Sequence, residues 1–221
     1  QQYRLDAERT TVTTLERATI NVLKARLSAG DAREILYALE LFDLEQHTAI
    51  HPVVRDLLAH SAPAVRRKAL AILNAAGDVV VRPQVDALLQ DEDIGVRTEA
   101  MLYLSHHAHI DPLQRIQELG DFPNFSVQSA MVTYLAAPGE TQSIVTAQTI
   151  LGTMVHQDGP DGHETRMEAA RLIAILPDHF DDQLAQLLQD EDQDVRRQTL
   201  RTVGQLEKHR FLPQVLEHMR D

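Results

Sequence analysis

The sequence predicts an all-α fold, a solenoid of about six helix pairs followed by a terminal helix. Three observations predict it. The decapeptide LLQDEDIGVR at 88–97 returns almost verbatim as LLQDEDQDVR at 187–196, with a looser copy, LLAHSAPAVR, at 57–66. Each copy closes one apolar helical stretch and opens another. An anchor position, small in all copies but one, then recurs at a step near 31: Ala38, Ala69, Ala100, Met131, Ala169 and Thr199 are spaced by 31, 31, 31, 38 and 30. Val65, Val96 and Val127 keep the same step, as do Leu73, Leu104 and Leu135. Lastly, no segment sustains the apolar–polar alternation of a strand.

Each repeated feature has a physical reading. Ala at the anchor lets two helices approach closely. Val four residues before it and Leu four after it lie on the same helix face. One pair cannot bury that face alone, so stability comes from stacking against neighbouring pairs. First helices are expected near 10–28, 48–59, 81–90, 111–119, 140–155 and 180–189. Second helices are expected near 32–44, 64–76, 94–107, 125–136, 164–176 and 193–207. The pairs then span 10–44, 48–76, 81–107, 111–136, 140–176 and 180–207, with a final helix at 210–220, all within one repeat domain over 1–221. Gly30-Asp31 and Gly77-Asp78 read as helix stops beside polar caps. Pro52, Pro83, Pro112 and Pro213 fall early in first helices, where proline costs little.

Composition narrows the functions. The chain has 221 residues, 43% of them hydrophobic, with 4% aromatics and no Trp. That suits a core of aliphatic side chains between close helices. There are 33 acidic and 21 basic residues, a formal charge of −12, which repels phosphate backbones and argues against nucleic-acid binding. With no cysteine, disulfides and thiolate metal sites are excluded, and a reducing, cytoplasmic setting fits. No run reaches the roughly 20 apolar residues of a bilayer span. The chain opens Gln1-Gln2 without Met, which reads as a segment of a longer, multidomain protein.

The pattern LLxDxDxxVRxxAxxxL, over about residues 31–220, resembles the short HEAT-like repeats of phycobilisome-lyase-type proteins and of many bacterial regulatory proteins. It is also similar to HEAT segments of bacterial multidomain proteins with transporter-like or cyclic-nucleotide-binding domains. The resemblance implies a right-handed α-α superhelix with second helices on the concave side. The sequence carries no nucleophile motif, phosphate-cradling Gly loop or P-loop, and with the family's habit this leads to the expectation of a non-catalytic scaffold for protein–protein interaction, with no cofactor and no catalytic residues. The alternative is an enzyme on the same scaffold, lyase-like or metal-dependent. Iron-dependent hydroxylases of this type use repeated His-Glu pairs; here only His163-Glu164 forms one, and the other repeats lack it.

Four groups of residues are candidates for function. Arg66, Arg97, Arg166 and Arg196 share one repeat position, and Asp91, Asp93, Asp190 and Asp192 precede two of them. A structural ladder is expected, with Asp capping helices and Arg pairing with acids of its own or the adjacent turn; an anion site is the competing reading. His106, His107 and His109 are weak candidates for a metal, since three imidazoles lie close in sequence without a completing carboxylate. The 38-residue step places extra chain around HQDGPDGH (156–163), a flexible polar loop that is either a tolerated insertion, a contact finger or a loose cation site. The two residues before each anchor are expected to point away from the core. They are Leu36-Tyr37, Arg67-Lys68, Thr98-Glu99, Ser129-Ala130, Met167-Glu168 and Arg197-Gln198. With Arg171 and Arg201 added, the strip is apolar at one end and basic at the other. Arg67, Lys68, Arg171, Arg197 and Arg201 are therefore the expected contacts for a protein or peptide partner, or for a neighbouring domain of the same chain. Leu212, Val215, Leu216 and Met219 give the final helix an apolar face, through which self-association is possible.

Overall fold

A computed structural model shows helices joined by short turns, and the described residues are 21–28, 30–41, 51–108, 110–139, 142–159, 161–207 and 211. The expected final helix, with Leu212, Val215, Leu216 and Met219, lies outside them. So do His109, Pro213 and the start of the first helix. The chain divides into two compact units, Gln1–Ile110 and Asp111–Asp221.

The first unit runs α1 (21–28), α2 (Ala32–Leu41), α3 (His51–Asp56), α4 (Pro63–Ala75), α5 (Arg82–Leu88) and α6 (Ile94–Ala108). Short 3-10 turns at Leu57–Ala59 and Val79–Val81 follow α3 and lead into α5. Second helices stack on one another, α2 against α4 and α4 against α6, while α3 packs on α4 and α5 on α6. The second unit runs α7 (Pro112–Leu119), α8 (Val127–Ala136), α9 (Ile144–Val155), α10 (Gly162–Ile173), α11 (Asp181–Leu188) and α12 (Gln193–Gln205). Here α7 packs on α8, α9 touches α8, α10 and α11, and α12 lies against both α10 and α11.

The anchors explain this stacking. Ala69, Ala100, Ala169 and Thr199 are completely buried, as are Val65, Val96 and Val195 one turn earlier. Side chains this small bring the backbones of stacked helices close, so the surrounding Leu, Ile and Val fill the space between them. The fourth anchor is different. Met131 is half-buried, and the small side chain that is completely buried beside it is Ser129, two residues earlier. The helix begins only at Val127, with Ser126 as its cap, after a turn in which Phe122 and Phe125 pair by backbone hydrogen bonds and stack their rings.

The extra chain of the fifth pair is shared between loop and helix. The first helix α9 has 12 residues, where α7 and α11 have 8. The loop that follows is held rather than free. The Arg166 guanidinium donates to the Gln157 carbonyl at 2.7 Å, and the Gly162 amide to the Gly159 carbonyl at 3.1 Å.

Candidate functional site

The repeated Asp-Glu-Asp turns come first, because they fix the register of the second helices. In the third turn the Asp93 carboxylate caps α6, accepting the Val96 amide at 2.9 Å. Asp91 faces the other way. Its carboxylate takes Nε and Nη2 of Arg66, from the preceding second helix, at 2.8 and 2.7 Å, and the Asp93 amide at 2.9 Å. Arg66 also donates Nη1 to the carbonyls of His60 and Ser61, in its own turn. The sixth turn repeats the plan. Asp192 caps α12 through the Asp194 and Val195 amides, and Asp190 accepts Arg166 Nε at 2.8 Å and the Asp192 amide at 2.9 Å. Arg196 donates Nη1 to the carbonyls of Asp190 and Glu191, as Arg66 does in its own turn. The first Asp of each turn therefore joins one repeat to the next, and the second starts a helix. These amides hold the Asp192 carboxyl below the usual carboxylate range, with His163 helping at 2.9 Å. Arg97 is buried; desolvation lowers its pKa to about 10, against the opposing charge of Asp91, so it stays charged at neutral pH.

The histidines lie at the end of α6. His106 Nδ1 and His107 Nε2 both meet the Asn74 side-chain carbonyl, at 3.3 and 3.0 Å, and His107 also reaches the Asn74 backbone carbonyl at 3.2 Å. The His107 ring leans on Tyr103, with centroids 4.7 Å apart. Both imidazoles thus tie α6 to the end of α4. Among the described residues no three His, Cys, Asp or Glu side chains cluster as metal ligands.

The strip residues separate by unit. In the first unit Tyr37 and Arg67 are exposed and Lys68 is half-buried, but Thr98 is buried. Arg67 lies across Gly95, where a Cβ would come within 2.9 Å of its Nη1. Glu99, one turn further along α6, is held above the usual carboxylate range by burial, opposed by the charges of Arg67 and Lys68. With Thr98 buried and Glu99 desolvated, the third pair does not continue an exposed strip. In the second unit the Glu168 carboxylate turns inward, accepting the Ser126 amide at 2.6 Å and the Ser129 hydroxyl at 2.5 Å. This polar link joins α10 to the start of α8 at the point where the anchor pattern slipped. Arg171, Arg197 and Arg201 remain exposed. Arg197 pairs with Asp194 on its own helix. Arg171 and Arg201 make no ion pair or hydrogen bond with the described residues.

One buried hub carried only a faint sequence signal. Asp78, read as a cap beside Gly77, does accept the Val80 amide at 3.1 Å. Its other oxygen takes Nε and Nη2 of Arg55, both at 2.8 Å, with His51 Nδ1 at 3.6 Å. Its carbonyl accepts the Tyr103 hydroxyl at 2.5 Å, and burial, then the Asp78 charge, raise the Tyr103 pKa. Gly77, at φ 66°, supplies the left-handed turn that reverses the chain before Asp78.

No family model matches the chain, and no curated relative matches it. Among solved structures it is similar to a designed armadillo repeat protein at 15% identity and a TM-score of 0.35, over 83% of this chain and 98% of that one. A second designed armadillo repeat protein, described as in complex with the peptide (KR)4, matches at 15% identity and a TM-score of 0.34, over 83% and 97%. An engineered protein matches at 16% identity and a TM-score of 0.34, over 86% and 98%. These likenesses are distant. The all-α repeat architecture stands on the chain's own stacked helices, none of which, among the described residues, is long and apolar enough to cross a membrane.

Proposed function

We propose that the chain is a non-catalytic interaction scaffold that holds a protein or peptide segment against the outward faces of its second helices. The observation that carries this reading is the pair Arg171 and Arg201. They follow their anchors, Ala169 and Thr199, by the same two residues, on helices α10 and α12 that pack together. Both are exposed and without partners among the described residues, in a chain whose formal charge is −12. Cations left unpaired in such a chain are available to a partner, whereas the ladder arginines are consumed internally. The HEAT-like resemblance is in keeping with this role, as is a reducing, cytoplasmic setting for a chain without cysteine.

The test is capture by immobilised protein. Arg197→Glu with Arg201→Glu should lower partner capture while leaving the far-UV circular dichroism and the melting temperature unchanged. Capture equal to that of the unaltered chain would remove these helices from the interaction.

A further inference from the structure

We propose that the face shared by α10 and α12 takes an extended acidic peptide segment, with carboxylates seated on Arg171 and Arg201. This rests on the interaction reading above and adds the chemistry of the partner.

The register of the two helices is fixed by one buried bond. The Thr202 hydroxyl donates to the Ala170 carbonyl at 2.7 Å. Arg201 precedes the donor and Arg171 follows the acceptor, so the two arginines start from adjoining turns on either side of that bond. Packed helices lie roughly 8–10 Å apart, and Arg197 and Arg201 are separated by about 6 Å along α12. In an extended chain, carboxylates two residues apart share one side and lie about 7 Å from each other. That spacing lies between the separation of about 6 Å along α12 and that of roughly 8–10 Å between packed helices, so flexible arginine side chains allow a Glu-rich extended segment to meet more than one of them.

The face also has a direction. Five residues before the anchors stand Glu164 and Asp194, both exposed, and Asp194 already holds Arg197. Two residues after the anchors stand Arg171 and Arg201. Negative charge therefore marks the N-terminal end of both helices, and unpaired positive charge the C-terminal half. An acidic segment is repelled from one end and attracted to the other. Ile175, 56% exposed one turn beyond Arg171, offers an apolar side chain of the partner a contact beside the cations. A peptide fits this better than a nucleic acid. Two unpaired cations neutralise few phosphates, where nucleic-acid sites commonly engage about 6–10, and the acidic surroundings oppose a long polyanion.

The probe is a fluorescein-labelled peptide of repeated Glu-Leu-Glu-Ser, with a Lys-Leu-Lys-Ser peptide and an oligothymidylate of matched charge beside it. Fluorescence anisotropy should show binding of the Glu peptide that weakens with salt, and none of the Lys peptide. Arg171→Glu with Arg201→Glu should raise its Kd about tenfold or more. The exposed pair Arg82→Glu with Arg115→Glu, the same change in net charge on other faces, should leave it within about twofold. Absence of Glu-peptide binding, equal losses in the two double variants, or tighter binding of the oligothymidylate would each overturn the inference. If the Glu peptide fails to bind while Arg197→Glu with Arg201→Glu still lowers partner capture, the acidic partner falls and the interaction scaffold stands.

Discussion

Replacing Asp91 by Asn tests whether the repeated turn joins the stack or merely decorates it. Asp91 accepts two bonds from Arg66 and one from the Asp93 amide, and the Arg66 and Asp91 side chains are only 14% and 8% exposed. Asn keeps the shape. Its carbonyl oxygen can still serve one guanidinium N–H, but its amide turns a donor toward the other. One charge-assisted bond is lost, worth about 1.5–3 kcal/mol, and Arg66 and Arg97 lose an opposing charge. A fully buried pair broken on one side costs about 3–5 kcal/mol. Arg66 keeps its bonds to the His60 and Ser61 carbonyls, so a loss of about 2–3 kcal/mol is expected. Urea unfolding followed by circular dichroism reads it directly. A cycle with Arg66→Met should return a coupling of about 1–2 kcal/mol. The comparison is Asp86→Asn on the exposed side of α5, expected within about 0.5 kcal/mol of the unaltered chain. If Asp91→Asn is as mild as Asp86→Asn, the ladder is a surface ornament and the reasoning is wrong.

Two further predictions follow from burial and close approach. The Glu99 carboxyl is raised above its ordinary pKa by burial, so the folded state holds its proton more tightly than the unfolded one. Its contribution to stability is then greatest in acid and is lost as pH climbs through the raised pKa. The stability of Glu99→Gln relative to the unaltered chain should therefore improve between about pH 4 and pH 7; a difference that stays flat would mean Glu99 is not desolvated. Gly162→Ala should destabilise by about 1–2 kcal/mol, because the added Cβ would sit 2.3 Å from the Gln157 carbonyl that Arg166 also uses. Gly152→Ala, inside α9 with nothing within 4 Å, should instead stabilise by about 0.5–1 kcal/mol. Matching melting temperatures for the two variants would show that the close approach of Gly162 to Gln157 carries no cost.

The sequence made the repeat legible because its units answer the same local demands. Small buried anchors recur in most copies, with Val one turn earlier at Val65, Val96 and Val195 and Asp caps at Asp31, Asp93 and Asp192, and these serve close packing and helix initiation at a near-constant step. The role of Asp91 and Asp190 was half legible. Their proximity to Arg was visible, but not which Asp would cap and which would reach back 25 or 24 residues to the preceding second helix. Ser129 and Glu168 left no signal at all. Their bond depends on where α8 begins, and a hydroxyl–carboxylate pair 39 residues apart follows no repeat spacing. The expected outward strip failed at Thr98, Ser129 and Ala130, which are buried, for a related reason. Position within a repeat sets which way a side chain points, but burial depends on what the neighbouring helix lays across it.

By itself the sequence determined the all-α class and the anchors Ala69, Ala100, Ala169 and Thr199, because these follow from side-chain size and helical period along the chain. The tertiary structure alone decided which charges are spent. Arg66 and Arg166 go to the ladder and Arg197 to Asp194, while Arg171 and Arg201 have no partner among the described residues. A charge is neutralised by what lies opposite it in space, and that neighbour belongs to another repeat.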